Sequence, residues 1–208
     1  MIFIKILMIN GSPHPHGCTD TALHEMEQVF QTEGIETELL TLGTDAVRGC
    51  TACGGCKRVG RCVFDDVVNA ALEKAETADG FVFGSPVHYA ALSGTMTAFL
   101  DRFFYASGGF PDRPVACVVS CRRAGSTAAL DQMLKYPMIS NMPVVPSQYW
   151  PMVHGARPDD VQQDLEGLQT MRQLARNMVW MLRCIEAGKA AGIPRPEHER
   201  HVWTNFIR

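Results

Sequence analysis

Four of the eight cysteines lie within 13 residues, as Cys50, Cys53, Cys56 and Cys62, in the run GCTACGGCKRVGRC. The spacing is C-x2-C-x2-C-x5-C. Three thiols two residues apart on a Gly-rich loop can be brought within a few ångströms of one another. Thiolates are soft ligands, so the chemistry on offer is an iron–sulfur cluster, a zinc ion or a bare redox-active thiol loop. Zinc sites more often use two separated C-x2-C knuckles. The bacterial ferredoxin run closes with x3 and a Pro, whereas here the last gap is five and Val63 follows Cys62. Cys117, in the apolar stretch VACVVSC, and Cys184, in MVWMLRCIEAG, read as core packing. Cys18 and Cys121 lie beside polar turns as small, polar-tolerant fillers.

Three further stretches carry donors in the pattern of an anion and ring site. The first is N10-G-S-P-H-P-H-G-C-T-D20. Gly11 and Gly17 permit close backbone approach, and Ser12, Thr19 and a helix start supply donors beside a positive dipole end. His14 and His16 add donors or charge. The stretch is neither G-x-G-x-x-G nor G-x4-G-K-[ST], which disfavours a dinucleotide fold and an NTPase. The second stretch, G84-S-P-V-H-Y-A-A-L-S-G94, places His88 and Tyr89 among small residues, a surface suited to a flat aromatic ligand. The third, S120-C-R-R-A-G-S-T127, sets Arg122 and Arg123 before a helix capped by Ser126 or Thr127. Their forked donors match a carboxylate or phosphate, against the plainer reading of a solvated turn.

The elements that must position these stretches alternate between strand and helix. Strands are expected at 2–9, 35–42, 80–84, 114–120 and 142–145. Helices are expected at 19–32 (capped by Thr19 or Asp20), 65–78 (opened by Asp65 and Asp66), 92–105, 126–139 and 159–187. Such alternation predicts a parallel sheet covered on both faces with right-handed crossovers. Five strands in a domain of this size fit a flavodoxin-like three-layer α/β sandwich of order 2-1-3-4-5. In such sheets ligands sit beyond the carboxyl ends of the strands at the switch point, where the three polar stretches fall. Residues 1–187 then form one domain carrying a cysteine-rich loop at 43–64. Residues 188–208 form an extension whose Val202, Trp203, Phe206 and Ile207 are apolar enough to pack on the body or on a neighbouring subunit. The helical stripe Leu92–Phe104 reads either as core or as a homodimer or homotetramer contact.

Composition narrows the classes. The 208 residues are 46% apolar and 20% charged, with 19 Lys and Arg against 22 Asp and Glu. That balance argues against nucleic acid as a partner. No apolar run approaches the ~20 residues of a spanning helix, and the opening MIFIKILMINGSP reads as a buried strand rather than a signal peptide. A cytoplasmic protein without membrane attachment is the expectation, and in that compartment the cysteines are thiols or ligands.

Taken in order, these motifs resemble the NAD(P)H-dependent FMN reductase and iron–sulfur flavoprotein family over most of the chain. NGSPHPHGCTDTAL is similar to the family's phosphate loop, placing Ser12, His14, Gly17, Cys18 and Thr19 on FMN-phosphate positions. His14 stands where Arg is common, and Cys18 where Asn or Ser is common. SPVHYAALSG resembles the loop beside the isoalloxazine, which implies ring contacts from Pro86, Val87, His88, Tyr89 and Ala90. The TAFLDRF segment matches the family's following helix. Ser120, Arg122, Arg123 and Gly125 join the cofactor set from the third stretch. The cysteine run resembles the compact motif that holds a [4Fe-4S] cluster near FMN, often across a subunit interface. The resemblance implies a flavin oxidoreductase exchanging electrons with a ferredoxin-like donor if the cluster is present. Without it, NAD(P)H is the implied reductant, and quinones, flavins or a small carboxylated metabolite the acceptors or substrates. A non-catalytic redox carrier and a zinc or thiol sensor are the rivals. No catalytic acid or base is assigned beyond His88 as a candidate proton donor.

Overall fold

The computed structural model describes residues 3–204 and 206. β1 (Lys5–Asn10), β2 (Glu36–Thr41), β3 (Gly80–His88), β5 (Val115–Cys121) and β6 (Met152–His154) form one parallel sheet in the order β2-β1-β3-β5-β6. The two-residue β4 (Ala91–Leu92) folds back antiparallel on the end of β3. Counting parallel strands alone, the order is the expected 2-1-3-4-5. The first strand runs Lys5–Asn10 rather than 2–9: Phe3 and Ile4 precede it outside the strand, and Ile2 lies outside the described residues.

The apolar runs of the central strands follow from burial on both faces. Leu7, Ile9, Phe81, Phe83, Val115, Cys117 and Val119 pack under α3 (Val67–Ala75), α4 (Gly94–Ser107) and α5 (Ser126–Ile139). Ile6, Met8, Val82, Ala116 and Val118 point the other way, under α1 (Cys18–Thr32) and α7 (Leu165–Ala190). The stripe Met96, Phe99, Leu100 and Phe103 is fully buried in the first of these layers. It is core, and the reading of it as a subunit contact is withdrawn.

Several expected boundaries move for physical reasons. The segment 142–145 is not a continuous strand. Val144 forms an isolated parallel bridge with Val115, and pairing resumes only at β6. Pro143, Pro146 and Pro151 in this stretch have no N–H to donate to a ladder. The long C-terminal helix is divided into α6 (Pro158–Gln163) and α7, because Asp164 leaves helical geometry at ψ 73° and caps the second helix through Gly167 N at 2.9 Å. Neither Thr19 nor Asp20 caps α1, and neither Ser126 nor Thr127 caps α5. Gly17 and Gly125 hold those positions, with no side-chain cap. Asp66 does cap α3, accepting from Val68 N at 3.0 Å. Cys184 is exposed rather than core, since the inward stripe of α7 runs through Leu174, Met178 and Leu182, and position 184 lies two residues off it.

Candidate functional site

Three loops meet at the carboxyl edge of β1, β3 and β5, and short bonds lock them together. Gly11 N donates to Gly84 O at 2.8 Å, and Ser93 Oγ donates to Gly11 O at 2.8 Å, tying the first loop to the second. Ser93 N donates to Ser85 Oγ at 3.1 Å. Thr19 Oγ1 and Ser120 Oγ share a hydrogen bond of 2.8 Å, tying the first loop to the third. A methyl group on Gly125 would lie 2.7 Å from Ala90 Cα, so the third loop packs directly on the second.

Within the first loop Asn10 is the organiser. It is fully buried, its Oδ1 accepts from Ser12 N, and its Nδ2 donates to Asp20 Oδ1. Ser12 Oγ in turn accepts from His14 N at 3.1 Å. The loop delivers the start of α1, which has no side-chain cap and lies at the positive end of the helix dipole. An uncapped helix start of this kind can receive an anion through its backbone amides. Ser12 and Thr19 are buried there, whereas His14 is exposed. Cys18 is half-buried, with Sγ 3.5 Å from Gly155 O, and burial pushes its thiol up from the ordinary range.

The second loop turns through two left-handed residues, Tyr89 at φ 50° and Ala90 at φ 59°. Each costs roughly 1–2 kcal/mol for an L-residue. Tyr89 is fully exposed there, beside exposed His88. Strain of this kind persists where the surroundings over-determine it, and it clusters at ligand-binding turns. Arg122 and Arg123 are exposed on the third loop, and Ser120 and Cys121 are buried.

The cysteine loop forms a separate centre. Cys50, Cys53, Cys56 and Cys62 all line one cavity of about 120 Å³, closed by Phe64, Arg102 and Tyr105. Among the described residues no group of three or more His, Cys, Asp or Glu is placed to hold a metal ion. The four cysteines share the lining of that one cavity. Left-handed turns at Ala52 (φ 52°) and Gly54 (φ 66°) coil the loop round it, and the short helix α2 (Cys56–Val59) forms one wall. Donors are aimed at the sulfurs. Ala52 N lies 3.5 Å from Cys50 Sγ, and Arg102 Nε lies 3.2 Å from Cys62 Sγ. The Gly55 amide and then the Thr51 hydroxyl hold the exposed Cys53 thiol below its usual range. Buried Cys117, by contrast, is pushed up to about 12 by desolvation.

The sequence-derived residues therefore fall in two groups. Those of the three loops share one edge, and the four cysteines share one cavity under the later turns of α4. Sequence reading missed Asn10, Ser85 and Ser93, which join the loops. It also missed Asp66, Asn69 and Arg102, which frame the cysteine cavity. The signal shared by Asn10, Ser85, Ser93, Asn69 and Arg102 is burial of a polar side chain, which one sequence does not display, whereas Asp66 is half-buried.

Sheet order and the edge site define a flavodoxin-like flavoprotein. Residues 4–157 match the NADPH-dependent FMN reductase family, and the chain belongs to that family. It is 31% identical over 193 residues to an iron–sulfur flavoprotein of Methanocaldococcus jannaschii, covering 88% of this chain and all of that one. The solved structure of RosB with bound 8-demethyl-8-formylriboflavin-5'-phosphate has a TM-score of 0.69 at 14% identity, covering 99% of this chain and 92% of the other. A flavodoxin, WrbA-like, from Agrobacterium tumefaciens has a TM-score of 0.57 at 17% identity, covering 87% and 98%. The protein is a flavin-dependent oxidoreductase that uses FMN. No described helix is long and apolar enough to cross a membrane.

Proposed function

We propose that this oxidoreductase is an electron-transfer flavoprotein with two centres, FMN at the three-loop edge and a [4Fe-4S] cluster at Cys50, Cys53, Cys56 and Cys62. The observation that carries it is that all four cysteines line one cavity. A polynuclear cluster takes each thiolate at its own iron, so its ligands surround a volume. A single zinc would need four donors within about 2.3 Å of one point. The similarity to an iron–sulfur flavoprotein supports the same reading.

When bound, FMN supplies hydride and single-electron chemistry, and the cluster single-electron storage. The chain's own residues do the rest. The amides of the first α1 turn, with Ser12, His14, Gly17, Cys18 and Thr19, receive the phosphate. Pro86, Val87, His88, Tyr89 and Ala90 face the ring, and Ser120 and Gly125 close that side. Arg122 and Arg123, exposed beside the ring site, offer two guanidinium forks to an anionic second substrate. The donor is a ferredoxin-like protein or NAD(P)H. A cluster-free NAD(P)H-dependent reductase is the second reading, favoured by the family match itself.

Protein purified without oxygen, assayed for absorbance, iron, zinc and acid-labile sulfide, tests the choice. Flavin bands with about four irons per chain support the two-centre reading. Flavin without iron leaves the reductase reading. Stoichiometric zinc at the cysteines overturns the cluster, and absence of flavin after added FMN overturns both.

A further inference from the structure

Arg102 is the largest fully buried side chain among the described residues, with 2% of the residue exposed. It sits on α4, 40 residues from the nearest of the four cysteines in sequence, yet all five of its N–H groups are directed at the cysteine loop or its supports. Nε donates to Cys62 Sγ at 3.2 Å. Nη1 donates to Arg48 O at 3.2 Å and to Asp66 Oδ2 at 2.6 Å. Nη2 donates to Phe64 O at 3.0 Å and to Asp66 Oδ1 at 2.9 Å. Its guanidinium also lies over the Phe64 ring at 5.4 Å.

Two consequences follow. Arg48 and Phe64 stand on either side of the 50–62 run, so a single side chain fastens both ends of the loop to α4. The pair with Asp66 is bidentate and occupies the Nη face, which neutralises the charge and leaves Nε–H as the group aimed at sulfur. Cys62 is the thiol that the five-residue gap separates from the other three, and it is the one that Arg102 reaches. Its backbone is held independently, because Asn69 Oδ1 accepts from Cys62 N and Asn69 Nδ2 donates to Cys62 O, both at 3.0 Å.

We infer that Arg102 is a positioning and potential-setting residue for the cluster: through Nε–H to Cys62 Sγ it favours the more negative, reduced state. This rests on the two-centre reading above. A directed N–H on a ligand sulfur stabilises added negative charge, and hydrogen bonds to sulfur are a principal control on cluster potentials. Losing an outer partner of a metal ligand costs roughly tenfold or more in binding. Applied to the reduced state alone, tenfold is about 59 mV for one electron.

The test is an EPR-monitored reductive titration of anaerobically purified wild type, R102K, R102Q and N69A, with iron, sulfide and FMN assayed on each. R102K keeps a cation for Asp66 but gives up the Nε donor. It should retain iron and FMN, with the cluster potential lowered by about 59 mV. R102Q should lower it at least as far. N69A loosens the Cys62 backbone without touching the N–H to sulfur. It should lose iron while its remaining clusters keep the wild-type potential. An unchanged potential in iron-loaded R102K and R102Q overturns the inference and leaves the two-centre reading standing. Loss of iron in R102K equal to that in N69A, with no shift in the clusters that remain, shows a purely structural clamp and also overturns it. Iron-free wild type overturns the two-centre reading itself, and the inference with it.

Discussion

Gly125 occupies φ 87°, and a methyl group added there would lie 2.7 Å from Ala90 Cα and 3.2 Å from Val87 Cγ1. Backbone, not a flexible side-chain end, is in the way. Gly125→Ala should therefore cost about 1–2 kcal/mol in left-handed strain and displace the turn at 87–90. At 1.4 kcal/mol per decade, a loss of that size appears as roughly tenfold weaker FMN binding. Fluorescence titration of the apoprotein checks it, and unchanged affinity would mean that this turn does not touch the flavin. The exposed arginines give a contrasting expectation. R122A/R123A should raise KM for an anionic substrate several-fold and leave flavin content at wild type. Lost flavin would move both residues to the cofactor. Much of this site was legible at the level of residue type, because small residues, hydroxyls and cysteines at fixed spacing carry their chemistry with them. The bonds that join the loops were not. Asn10, Ser93 and Arg102 act on partners 10 to 82 positions away, and nothing local marks a polar residue as buried.

At the scale of elements, the strands of the sheet centre were legible because they are apolar on both faces, and the helices because their stripes repeat at helical spacing. The edges were not, because an edge is decided by competition among weak signals. The prolines at 143, 146 and 151 moved the last strand to β6, and Asp164 split a continuous helical pattern by capping its second half. The opposite edge is secured by charge. Glu38 on β2 pairs with Lys5 on β1 at 2.7 Å and with Lys74 on α3. The hydrogen bond from Lys5 and then that from Lys74 hold the Glu38 carboxyl below its ordinary value of 4.5. A carboxylate depressed in the folded state contributes stability above its unfolded pKa and loses it as pH falls through the folded one. Glu38→Gln should thus destabilise by about 0.5–1 kcal/mol at pH 7, the scale of partly exposed pairs. The gap between the two proteins should narrow as pH falls from 4.5 into the acid range. Urea melts at pH 7 and pH 3.5 measure it, and an equal gap at both would assign the effect to packing.

At the scale of the whole molecule, the segment after α7 is the part that the body does not account for. Among its described residues, 193–196 lie beside α7, and His198 reaches Asp112 Oδ2 at 3.1 Å and Asn141 Nδ2 at 3.0 Å. Beyond that point Val202, Trp203 and Phe206 are more than four-fifths exposed, and Ile207 lies outside the described residues. Exposed single apolar residues are ordinary, but three large ones within five positions of an extended segment are not. Trp180 on α7 and Met138 and Ile139 at the end of α5 are exposed as well. Burying Trp203 and Phe206 against a second copy would gain about 1.5–3 kcal/mol for a Phe-sized side chain. We therefore expect a homo-oligomer in which this segment crosses to a neighbour, and expect truncation after Ala190 to lower the mass measured by light scattering. The same truncation should leave flavin content and the melting of the body near wild type, because none of the three-loop residues lies in the segment. W203A/F206A should weaken association in the same direction without shortening the chain. A truncated protein of unchanged mass would place the subunit contacts elsewhere. A truncated protein that loses flavin would show that the segment of one copy completes the FMN site of another.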